Sequence, residues 1–99
     1  MSTVHAEQGT LTIVAGTKAT NIRAGHNVLM HIFIKAATAG TTFDVQLTDI
    51  YSNNIFLRED ITGELNELLH MPTTGNYTLT ILNSSADENF KYMLAFKEN

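Results

Sequence analysis

The residues predict an all-β fold, a single antiparallel β-sandwich that is jelly-roll-like with about seven or eight strands. Three observations carry this prediction. The chain closes on two alternating segments, Tyr77-Thr78-Leu79-Thr80-Ile81 and Phe90-Lys91-Tyr92-Met93-Leu94-Ala95-Phe96, whose large apolar residues fall on every second position. Strand signals recur at short spacing with turn signals between them, which favours a sandwich or barrel over a helical arrangement. A third segment, Asn27 to Lys35, is apolar on both faces and reads as a central strand. With 99 residues and no composition shift, the chain is expected to be one domain, its first nine residues forming an N-terminal arm or an edge strand.

In chain order, Thr10-Leu11-Thr12-Ile13-Val14 is the first expected strand and Thr20-Asn21-Ile22-Arg23 a shorter second one. Ala24-Gly25-His26-Asn27 reads as a turn into the central strand, and Ala36 to Thr41 is small and polar enough to be a connection. Thr42 to Asp49 alternates, with Phe43, Val45 and Leu47 inward and Asp44, Gln46 and Thr48 outward. Tyr51-Ser52-Asn53-Asn54 is a turn, since Asn tolerates the left-handed backbone. The strand Ile55 to Glu59 is expected to end at Asp60-Ile61-Thr62-Gly63. Glu64 to Met71 is ambiguous: its Leu, Glu and Met favour helix, whereas the Leu65, Glu67, Leu69 alternation and the Pro72 stop favour a strand, and both stay open. The expected inward set is Val28, Met30, Ile32, Ile34, Phe43, Val45, Leu47, Leu79, Ile81, Tyr92, Leu94 and Phe96.

Composition narrows the function. A net charge of -4 with scattered Lys and Arg argues against a nucleic-acid groove, which needs clustered cations. No segment approaches the ~20 apolar residues of a membrane helix, and the start lacks the basic and apolar regions of a signal peptide. The absence of Cys removes disulfides and thiolate metal sites. No cofactor is expected.

Candidate chemistry is sparse. The four His show no metal-binding spacing: His26 and His31 fall on opposite sides of a regular strand, and His5 and His70 are remote. Asp44, Asp49, Asn53 and Asn54, or Glu59 and Asp60 with Glu64, offer oxygens to calcium, and Asp49 and Asn53 are the first residues to test. No Ser lies in a nucleophile elbow, and Glu59 and Asp60 alternate across a strand, so an enzyme is not expected. Among the aromatics, Tyr51 in its turn is the expected exposed platform for a sugar ring.

Ala24-Gly25 before a strand, Phe43-Asp44-Val45-Gln46-Leu47-Thr48-Asp49 with its Asn-rich turn, and Thr74-Gly75-Asn76-Tyr77-Thr78-Leu79-Thr80-Ile81 before Tyr92-Met93-Leu94 resemble the bacterial pre-peptidase C-terminal type of β-sandwich module. The resemblance spans about residues 24 to 96 and implies a non-catalytic module, in that family an appendage of secreted enzymes that sometimes binds calcium. The chain also looks like the small decoration or cement proteins of tailed-phage heads, by size and architecture rather than by motif. The expected function is therefore a structural or interaction protein that self-associates or docks on a larger protein assembly such as a capsid, and resides on the virion. The alternative is an extracellular carbohydrate- or calcium-binding accessory module. Contacts are expected from residues 2 to 14, with Thr3, Val4, His5, Ala6, Leu11 and Ile13 foremost, because an unpaired edge or tail is a common pairing element.

Overall fold

The computed structural model describes residues 4–23, 27–73 and 75–98, and contains eight strands. These are β1 (Val4–Thr12), β2 (Lys18–Arg23), β3 (Asn27–Ala36), β4 (Thr42–Thr48), β5 (Asn54–Thr62), β6 (Glu64–Pro72), β7 (Asn76–Leu82) and β8 (Asn89–Glu98). They form two four-stranded antiparallel sheets, ordered β1-β8-β3-β6 and β2-β7-β4-β5. Consecutive strands repeatedly change sheets, which is the connectivity of an eight-stranded jelly roll.

Alternation builds the core, as the residue pattern predicts. Phe90, Leu94 and Phe96 of β8 face Leu79 and Ile81 of β7 across the sandwich, joined by Ile32, Ile34, Phe43, Val45 and Leu47, all at most 1% exposed. Phe43 and Phe90 meet edge to face at 4.9 Å, tying the two sheets together at one end. Tyr92 is half-buried, its ring filling the space left by Gly9 opposite it on β1.

Three expectations are corrected, and the reading left open between helix and strand is decided. Met30 is not a core residue, because β3 advances two residues between Leu29 and His31 while β8 advances one; this bulge turns Leu29 inward, fully buried opposite Phe96. β5 does not stop at Asp60: a second irregularity puts Asp60 at φ 56° and the strand runs on to Thr62, with the buried Asp44 carboxylate accepting from the Asp60 amide at 2.9 Å. Glu64–Pro72 is a strand, its Leu65, Glu67 and Leu69 on the inner side. The first strand lies earlier than expected, so the N-terminal residues from Val4 onward are paired along β8 as an edge strand. The turn expected at 24–27 lies outside the described residues except for Asn27.

Two sides close the sandwich differently. β5 passes to β6 in the other sheet through the single residue Gly63, at φ 75°. A Cβ there would lie 2.5 Å from the Ala39 carbonyl oxygen, so the corner needs glycine both for conformation and for space. Beside it Arg58 and Glu67, on the inner sides of β5 and β6, join the sheets through bonds of 2.9 and 2.6 Å, with the guanidinium 4.4 Å from the Phe56 ring centre. On the other side, Ala15 and Gly16 both take positive φ, as in a type I′ turn, between the bridged Val14 and Thr17. There the Glu7 carboxylate reaches from β1 to accept from the Arg23 amide of β2 at 3.2 Å.

Candidate functional site

The residues singled out by sequence fall into three places. Leu11 and Ile13 are 6% and 1% exposed within the core, so their part is packing, and the expectation that they make contacts is corrected. His5 is exposed and its ring stacks on Phe96 at 5.1 Å, while Ala6 lies exposed on the outer side of the sheet. Thr3 lies outside the described residues, as does His26; Val4 pairs with Lys97 at the start of β1.

The loop after β4 is an Asx turn. One Asp49 carboxylate oxygen accepts from the amides of Tyr51 and Asn53, both at 2.9 Å, and the other accepts from Asn53 Nδ2 at 3.1 Å. Asn53 thus presents its amide nitrogen, not its oxygen, to Asp49, and a cation would have to displace those bonds. The Asn53 amide, with smaller help from its side chain and from Tyr51, holds the Asp49 carboxyl below the usual aspartate range, against a weaker opposing effect of desolvation. Tyr51 at the tip is 78% exposed and Ile50 64%. Beside this loop is an open polar cleft of about 630 Å³ whose walls include Glu7, Asn21, Arg23, Ser52 and Thr78, but not Tyr51. Among the described residues no three of His, Asp and Glu gather as metal ligands. His31 Nε2 instead donates to Asn66 Oδ1 at 2.6 Å.

The cross-strand registers place residues on the two outer faces, and the faces differ in kind. On the β2-β7-β4-β5 sheet two rungs read Ala19-Thr80-Gln46-Leu57 and Asn21-Thr78-Thr48-Asn54, dominated by hydroxyls and amides, with Leu57 exposed at the β5 edge and Arg23 and Asp44 in the rungs beyond. On the β1-β8-β3-β6 sheet they read Ala6-Ala95-His31-Leu68, Gln8-Met93-Phe33-Asn66 and Thr10-Lys91-Lys35-Glu64. Phe33, Met93 and Ala95 are only half-buried there, and Leu68 is 80% exposed. Lys35 and Lys91 face each other at one end of this apolar centre, and Lys97 pairs with Val28 near the other end. Half of the six cations of an acidic chain therefore occupy this one sheet. The sequence carried a signal for this face: Phe33 and Met93 are the large apolar residues left over once the inward sets of β3 and β8 are assigned.

No protein-family model matches the chain, and no curated protein matches it in sequence. Among solved structures it is similar to the pre-peptidase C-terminal domain of a collagenase from Bacillus anthracis, with a TM-score of 0.54 and 15% identity over 91% of this chain and 85% of that one. PliG, a periplasmic inhibitor of g-type lysozyme from Aeromonas hydrophila, aligns with a TM-score of 0.52 and 16% identity, covering 94% of this chain and 83% of that one. A structure of infectious bursal disease virus, Gt strain, aligns at 0.47 and 13% identity over 99% of this chain and 33% of that one. At these identities the likeness is one of fold. The resemblance first seen in the motifs around Asp44 and Gly75 thus extends to the architecture: this chain has a β-sandwich like that of the pre-peptidase C-terminal domain.

Proposed function

We propose that this chain is a non-catalytic interaction protein, a decoration or cement subunit that self-associates and docks on a larger protein assembly, with a viral capsid as host and the virion as its location. The observation that carries the reading is the outer face of the β1-β8-β3-β6 sheet. Its apolar centre of Phe33, Met93, Ala95 and Leu68 spans three adjacent strands, whereas the rungs Ala19-Thr80-Gln46-Leu57 and Asn21-Thr78-Thr48-Asn54 of the other sheet are mostly polar. Exposed apolar groups gathered on one face and rimmed by charge are the usual composition of a protein contact. Three lysines flanking that centre fit a partner surface whose apolar patch is bordered by carboxylates. They are too few, and too close to Glu64, for a nucleic-acid groove.

Co-sedimentation of the purified protein with capsids of the virus that encodes it tests this reading. Saturable binding that is lost in Leu68→Asp, a change at an exposed position that leaves the core intact, supports it. A protein that stays in the supernatant at all concentrations overturns it.

A second reading, a carbohydrate-binding module, is favoured by one observation: the exposed Tyr51 ring at the tip of a loop held rigid by Asp49. Stacking on a sugar ring would use that platform. Retardation in gels containing soluble polysaccharides, abolished by Tyr51→Ala, supports this second reading; unretarded migration counts against it.

A further inference from the structure

We propose that two copies of this chain pair through the free edge of β1, antiparallel about a twofold axis at Gln8, to form one continuous eight-stranded sheet. The inference rests on the self-association in the reading above and names its partner, edge and register.

The sandwich has four edge strands, and three are blunted. β5 carries two register shifts and the left-handed Asp60. β6 ends in Pro72 and is broken in register against β3. β2 has only six residues, with Lys18 at one end and Arg23 at the other. Irregularity, proline, charge and shortness are the devices that keep edges from pairing. Of these β1 carries only the charge of Glu7, whose carboxylate is engaged by the Arg23 amide. It runs nine residues in unbroken register along β8, without Pro, Lys or Arg.

The direction of its amides follows from one bond. The Ile13 amide donates to the Glu88 carbonyl at 3.0 Å, directly opposite it in continuation of the β1–β8 register. Hydrogen-bonded pairs recur at every second residue of an antiparallel ladder, so Leu11, Gly9, Glu7 and His5 turn their N–H and C=O groups towards β8. Ala6, Gln8 and Thr10 turn theirs to the open side, where no bond to another described residue meets them. Their side chains, on the outer face, are small or neutral.

A register centred on Gln8 overlaps the whole of β1 with that of the second copy. Ala6 then pairs with Thr10 and Gln8 with Gln8, whose side-chain amides can bond each other. On the inner side Glu7 stands opposite Gly9. Moving the centre to Glu7 would set two carboxylates against one another, which is unfavourable. The chosen register therefore maximises overlap and avoids like charges. It also joins the two apolar outer faces, doubling the surface that the capsid reading employs.

The test is the absolute mass by light scattering over a wide concentration range, read with amide hydrogen exchange. A dimer of twice the 10.9 kDa chain is expected, with protection at Ala6, Gln8 and Thr10 rising with concentration while that at Glu7 and Gly9 does not change. Gln8→Pro, which removes an N–H the fold does not use, is expected to leave a folded monomer. Should the proline perturb β1 itself, Gln8→Lys keeps the backbone and sets two ammonium groups opposite each other, weakening the dimer about fivefold at low salt. A wild-type monomer at near-millimolar concentration, or a dimer that persists in both variants, overturns the pairing. Capsid co-sedimentation on the same preparations separates the two readings: a monomer that binds capsids overturns only the edge pairing, and a dimer that ignores them overturns only the docking.

Discussion

At the β5–β6 side of the sandwich the chain turns from one sheet to the other in a single glycine, and an ion pair between Arg58, seated over the Phe56 ring of its own strand, and Glu67 fastens the sheets together. At the β1–β2 side the turn spans Ile13 to Thr17, and one carboxylate accepting a backbone amide makes the connection. The first side has irregular edges that cannot template another strand. The second has a straight one. The contrast teaches that the same core can support a closed side and an open side, because the blocking devices sit in edge residues that contribute little to the core.

The comparison breaks most severely at Gly63. Gly63→Ala forces a Cβ against the Ala39 carbonyl and an L-residue into left-handed backbone, at a cost of about 2–4 kcal/mol in denaturant unfolding. Gly40→Ala is the control: no atom lies within 4 Å of its Cβ position, and a change within about 1 kcal/mol of zero is expected. If both substitutions prove equal, the corner is not under the constraint described.

The open side can be sharpened instead of broken. Ala15 occupies the first central position of its turn at φ 57°, where Asn is preferred. Ala15→Asn is expected to stabilise the fold by about 0.5–1 kcal/mol, raising the melting temperature by a few degrees. No gain would mean that the turn relaxes away from this geometry.

Smaller effects distinguish the fastenings. Arg58 and Glu67 are partly exposed, with side-chain exposures of 44% and 29%, so their pair is worth no more than about 1 kcal/mol. Glu67→Gln should cost about 0.5 kcal/mol at low salt and less at 1 M NaCl. A salt-independent loss would point to packing against Phe56 instead.

The weakest expected effect belongs to the Asp49 loop. Its carboxyl is depressed in the folded state, so the stabilisation is present above the ordinary aspartate value and is lost as pH falls through the folded one. Asp49→Ala should therefore flatten the decline in melting temperature below about pH 4. A mutant with the same acid profile as the parent would assign that decline to other carboxylates.

The residues by themselves determined the class and most of the core. Alternation in β4, β7 and β8 is local, and burial of one face enforces it, so Phe43, Leu79 and Leu94 were readable without a structure. Glu64 to Met71 was not decidable, since its Leu and Glu suit either backbone; only pairing with β3 makes it a strand. The bulge at Met30 was equally hidden, because nothing in a run apolar on both faces marks which residue is extra. Tertiary structure alone decided that Asp49 accepts amide hydrogens and that Leu11 and Ile13 are core. It alone also gathered Phe33, Met93, Ala95 and Leu68, from three strands, on one face. The physical reason is the same in each case: hydrogen bonds and burial between residues far apart in the chain leave no local period, whereas the pleat of a single strand does.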